Sequence, residues 1–97
     1  EDVPVEKIRI RAFYPEYNYI EEVPLHESQQ KVKESKDGMY REYTLTVSPS
    51  RDLLQELLCH CRYLIVLKPE SLRQEMISIL KDMTKSYETG ECLNGEE

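Results

Sequence analysis

Apolar and polar residues alternate strictly near the start of the chain. Between Val5 and Phe13, Ile8, Ile10 and Ala12 interleave with Lys7, Arg9 and Arg11, the period of two that marks a strand with one buried and one solvated face. Pro15 and an early acid then open a short helix over 16–23, with Tyr19, Ile20 and Val23 as its apolar positions, and Pro24 ends it. The segment 24–29 reads as a turn into a second strand, Gln30 to Ser35. Lys36-Asp37-Gly38 is a hairpin signal, and Met39 to Val47 returns as the third strand. On that strand Tyr43, Leu45 and Val47 share one face, and Tyr40, Glu42, Thr44 and Thr46 the other.

The period then changes to that of a helix. Ser50 suits an N-cap, and Leu53, Leu54, Leu57 and Leu58 give a helix over 51–61 an inward face. Tyr63 to Leu67 is a short apolar run, a buried strand stopped by Pro69, which has no backbone donor. Glu70 opens the last helix. Leu72, Met76, Leu80, Met83 and Tyr87 recur at steps of four and three, with Ile79 beside them, which draws one apolar stripe. The order β-α-β-β-α-β-α predicts an α+β, ferredoxin-like split βαβ sheet of four antiparallel strands, the first and third central, plus an added C-terminal helix. Residues 1–87 form that domain, and 88–97 are expected to be a disordered acidic tail.

At 97 residues, 39% apolar and 33% charged, the chain has room for one domain and none for separate cofactor and substrate domains. The net charge of −6 disfavours attraction to nucleic acid as a whole. Three cysteines without a framework fit a reducing compartment, so the expected location is cytoplasmic. There is no apolar run of transmembrane length. The acidic start Glu1-Asp2-Val3-Pro4 is unlike a signal peptide, and without an initiator Met it fits a fragment or a processed product.

Candidate chemistry is sparse. Cys59-His60-Cys61 has zinc-ligand residue types, but its members point apart on a helix and only His26 and Cys92 remain to complete a site. No nucleophile–base pair and no phosphate-cradling glycine loop stand out, so no catalytic residue, metal or cofactor is expected. An RNA-recognition sheet face would need aromatics within a Lys/Arg-Gly-Phe/Tyr pattern, which Gly38-Met39-Tyr40-Arg41-Glu42-Tyr43 does not supply. Two features remain as ligand or partner sites. Lys7, Arg9 and Arg11 line the outward face of a central strand, and His26 with Gln29 forms a polar corner near Ser28. Charge reversal at Arg9 and Arg11 is expected to disturb association while leaving the fold intact.

Four pieces in order resemble one family: Pro24-Leu25-His26-Glu27-Ser28-Gln29; Asp52-Leu53-Leu54-Gln55-Glu56-Leu57-Leu58; Val66-Leu67-Lys68-Pro69-Glu70-Ser71-Leu72-Arg73; and the closing Tyr87. Together they are similar to the C-terminal extension (WCX) domain of WYL-domain bacterial transcriptional regulators, over roughly Val5 to Tyr87. The resemblance implies a ferredoxin-like domain that follows a DNA-binding helix-turn-helix and a ligand-sensing WYL domain, takes part in dimer contacts, and completes or gates the sensory site. On that reading the chain is a non-catalytic regulatory domain that couples effector binding to DNA binding. Its partners are the sensory and helix-turn-helix domains of the same protein and a second copy, and not DNA or membrane. The alternative is a free-standing ferredoxin-like module that binds a small anionic metabolite on the cationic row. The family usually has Gly after the second helix, where Cys61 stands here, so a different helix exit is expected.

Overall fold

Strand β1 (Glu6–Phe13) has partners on both edges. In the computed structural model, which describes residues 4–92, it is followed by α1 (Glu16–Glu22), β2 (Gln30–Glu34), β3 (Tyr40–Val47), α2 (Arg51–Cys59), a 3-10 turn (Cys61–Tyr63), β4 (Leu64–Lys68) and α3 (Glu70–Thr89). The sheet order is β2-β3-β1-β4, with every neighbouring pair antiparallel. β1 and β2 therefore run parallel with β3 between them, and β3 and β4 run parallel with β1 between them. Two interleaved βαβ units with this order are the ferredoxin-like arrangement.

The alternation in β1 divides the molecule. Ile8, Ile10 and Ala12 are wholly buried, and across the ladder Ile8 meets Leu45, Ile10 meets Tyr43 and Val66, and Ala12 meets Leu64. Tyr17 and Ile20 of α1, Leu53 and Leu57 of α2, and Leu72 of α3 close over this face. The apolar face of α1 differs from the sequence expectation. Tyr17 and Ile20 are the buried pair, three residues apart, while Tyr19 and Val23 are 62% and 75% exposed. Tyr17 turns inward because its hydroxyl donates to the Gly38 carbonyl at 2.7 Å and its ring stacks under the Arg41 guanidinium.

Local chemistry sets the element ends. Gly38, at φ +75°, closes the hairpin, with Ser35 Oγ accepting from the Tyr40 amide and Asp37 Oδ1 from the Met39 amide. Ser50 caps α2 by accepting from the Leu53 amide. α2 stops at Cys59, two residues before the expected end. The chain leaves through His60 and the right-handed 3-10 turn, so Cys61 needs no left-handed backbone. α3 outruns its expected end at Tyr87 and continues to Thr89, where Gly90 at φ +78° closes it by donating to the Ser86 carbonyl. The remainder of the expected tail, 93–97, lies outside the described residues. No helix is long and apolar enough to cross a membrane among the described residues.

Ile10 is central on the central strand and wholly buried. Ile10→Ala should lower stability by about 2–4 kcal/mol, read as a fall in the urea midpoint with an unchanged slope. A loss well under that would mean that the core closes elsewhere.

Candidate functional site

The sheet face away from α1 and α2 carries the second half of the β1 alternation. Arg9 and Arg11 stand opposite Thr44 and Glu42 of β3. Their guanidinium groups converge on one carboxylate. Arg9 Nε donates to Glu42 Oε1 at 2.8 Å, and Arg11 Nε and Nη2 donate to Oε2 at 2.9 and 2.7 Å. The two arginine side chains remain 34% and 31% exposed, but they roof Glu42 so fully that its side chain is 3% exposed. Burial alone would push the Glu42 carboxyl up. The hydrogen bonds and charges of Arg11 and Arg9 outweigh it and hold the group below its ordinary value of 4.5. Arg11 also lies over the Tyr40 ring at 4.1 Å, and Lys33 of β2 approaches the same ring at 5.9 Å.

Around this clamp lie Lys7, exposed beside Thr46; Phe13, half-buried opposite Tyr40; and Ile65, 41% exposed opposite Arg11. The strands thus place four cations, Lys7, Arg9, Arg11 and Lys33, against the single carboxylate of Glu42, in a chain whose net charge is −6. α3 packs beside the outer strand β4, where Met76, Ile77 and Leu80 flank Ile65, while Lys7 stays exposed and Arg9 and Arg11 partly so. The alternation of β1 showed that Lys7, Arg9 and Arg11 share a face. The pairing with Glu42, the stacking on Tyr40 and the arrival of Lys33 depend on the β1–β3 and β2–β3 registers, which the sequence did not fix.

The corner at His26 and Gln29 is built differently. The Ser28 hydroxyl accepts from the Thr46 amide at 2.8 Å and stands 2.8 Å from His26 Nδ1, which itself accepts from the Ser28 amide at 3.1 Å. Ser28 thereby extends the β2–β3 edge by one rung. Thr46 pairs with Lys7 across β1, so His26 adjoins the Lys7 end of the open face. Gln29 is turned away from that face. Its Nε2 donates to the Ile20 carbonyl at the end of α1 at 2.8 Å, and its Oε1 accepts from the Leu25 amide at 2.9 Å. Both otherwise unpaired backbone groups are satisfied by one amide.

Other titratable groups tie helices to the sheet. Glu21 accepts from Arg41 at 2.7 Å and from the Tyr43 hydroxyl. The Tyr43 bond, then Arg41, draws the Glu21 carboxyl below its ordinary value, and burial with the nearby carboxylate pushes the Tyr43 phenol up. His60 Nδ1 pairs with Glu16, linking the end of α2 to the start of α1. Cys59 is exposed. Among the described residues no group of three or more His, Cys, Asp or Glu side chains is arranged to hold a metal ion.

The sequence profile of the WCX domain matches residues 4–84, from before β1 into α3. The chain belongs to the WCX domain family. Its WCX fold is the ferredoxin-like sheet described above, and its place as the extension of WYL regulators makes it a regulatory domain of transcriptional regulators and one module of a larger regulator. No curated protein matches the chain.

Because the folded Glu42 carboxyl titrates below 4.5, the clamp adds stability that is fully present above the unfolded value and is lost as pH falls through the folded one. Glu42→Gln should cost about 1–3 kcal/mol near neutral pH and flatten the stability curve below about pH 4.5; thermal melts across that range read both. Ser28→Ala should cost about 1 kcal/mol and speed amide exchange at Thr46, while the rest of β3 keeps its protection.

Proposed function

We propose that this WCX domain is a non-catalytic coupling module of a cytoplasmic bacterial transcription regulator, and that its open sheet face docks on the sensory WYL domain. The supporting observation is the cationic and partly apolar face around the Arg9–Glu42–Arg11 clamp, partly exposed in an otherwise acidic chain. Its guanidinium groups are fixed before any partner arrives. Docking then orders few side chains, which lowers the entropic cost of association. Lys7 and Lys33, at the rim, would steer an acidic partner surface, and Ile65 would supply apolar contact. An effector that binds one docked arrangement better than another would shift the orientation of the DNA-binding heads by that difference in affinity. A small anionic metabolite is the weaker reading, since it would have to displace the Glu42 carboxylate from both arginine forks.

The clamp changes the choice of test. Reversing charge at Arg9 and Arg11 would strand the buried Glu42 among acids and disturb the fold, contrary to the sequence expectation. Lys7→Glu with Lys33→Glu alters the same face without touching the clamp. In a titration against the separately expressed sensory domain, this double variant should weaken binding by about tenfold or more and reduce its salt dependence, with an unchanged melting temperature. Wild-type affinity in the variant would sink the proposal.

A further inference from the structure

Between α3 and the end of α2 lies a hollow of about 500 Å³, within the range of roughly 300–1,000 Å³ that small-molecule sites occupy. Its sides are Leu57 and Leu58 of α2, Ile65 of β4, and Met76, Leu80 and Met83 of α3. Ile65, Leu80 and Met83 are 41%, 49% and 43% exposed, so this apolar surface faces solvent. Among the described residues that line it, none is aromatic or acidic, and Arg62 is the one charged group. A smaller hollow of about 240 Å³ continues it. The two share Leu64, Ile65, Met76 and Leu80, and the smaller one adds Val66, Ile77 and Arg73. Together they form one trough along α3, with Arg62 toward the Met83 end. At the other end Arg73 pairs with Glu70 at 2.9 Å.

We propose that this trough binds an unbranched fatty carboxylate, its head group on Arg62 and its chain running past Leu80 to Met76. Charge selects the head. A guanidinium fork matches a carboxylate with two parallel hydrogen bonds. Tyr63 steadies Arg62, whose Nη2 donates to the phenol oxygen at 3.3 Å while the guanidinium lies over the ring at 5.3 Å. Tyr63 is a neutral partner, so these contacts fix the group without cancelling its charge. Glu75 and Asp82, the acids that flank the stripe on α3, are exposed and do not line the hollow. Shape and polarity select the tail. Leucine, isoleucine and methionine side chains line a trough, and two flexible thioethers can follow a flexible chain. There is no ring in the lining for an aromatic ligand to stack on. A sugar or nucleotide would press its hydroxyls against hydrocarbon without partners. From Met83 to Met76 is about 10 Å along the helix, and the smaller hollow extends the trough past Ile77, which gives length for a medium chain. Occupancy would fasten the second half of α3 to α2. The site shares Ile65 with the clamp face and nothing of the clamp itself, so it stands whether or not that face docks on a sensory domain.

The chain has three methionines. Met76 and Met83 line the trough, while Met39 sits in the hairpin, outside it. With methyl-labelled methionine, decanoate kept below its micelle concentration should shift the Met76 and Met83 signals and leave Met39 in place, with a dissociation constant on the order of 0.1 mM. Dodecanoate should bind about fivefold tighter or more, and octanoate weaker by a similar factor. Decyltrimethylammonium, which has the same tail and the opposite charge, should bind about tenfold weaker or more. Arg62→Gln, at an exposed position, should weaken decanoate by about tenfold and erase its advantage over the cation, with an unchanged melting temperature. Met83→Glu should abolish decanoate binding as read at Met76; if that variant loses helix, Arg62→Gln still decides. Equal shifts at all three methyls, no preference for the anion, or wild-type affinity in Arg62→Gln would overturn the proposal. So would Met76 and Met83 signals that move with protein concentration alone and do not respond to decanoate, since another protein surface would then fill the trough.

Discussion

β1 has to satisfy two partners and two environments at once. Its backbone is paired on both edges, so it cannot shift register against β3 without breaking its match to β4. A slip of one residue would turn Ile8, Ile10 and Ala12 to solvent and press Lys7, Arg9 and Arg11 into the core. The core under α1 and α2 and the charged face opposite are therefore two readings of one strand. Whatever stabilises one side also holds the other in place.

The charged side is held by a carboxylate. Glu42 is as buried as a core residue, though it faces away from the core. Two arginines that would repel each other across one strand instead share a counter-ion, and Tyr40 supports one of them from the side. The face is then both cationic and rigid. A solvated row of lysines would give the same charge with less order, because guanidinium forks fit a carboxylate in fixed directions.

Much of this was legible in residue order. The strands, the hairpin at Gly38, the Ser50 cap and the leucines of α2 followed from period and turn chemistry, and they carried the ferredoxin-like topology with them. What failed was local or depended on pairing. Tyr17 displaced Tyr19 from the buried face of α1 because its hydroxyl reaches the hairpin carbonyl of Gly38, 21 residues away. α2 ended early because a 3-10 turn absorbed Cys61. The corner at His26 and Gln29 was recognisable as polar, but its bonds to Thr46 and Ile20 needed neighbours that no spacing could show. Lys33 joined the cationic face only because β2 carries an irregularity between Lys31 and Lys33, which a straight alternation would not place.

That irregularity has a meaning of its own. β2 is the outer strand on its side of the sheet, and all five of its residues are exposed. A flat outer strand is a template on which other chains can stack indefinitely. Here the kink at Val32 breaks the run of backbone donors, and lysines stand on both sides of it. Pairing of another chain along β2 is thereby disfavoured, so on this side of the sheet the domain meets other proteins through side chains.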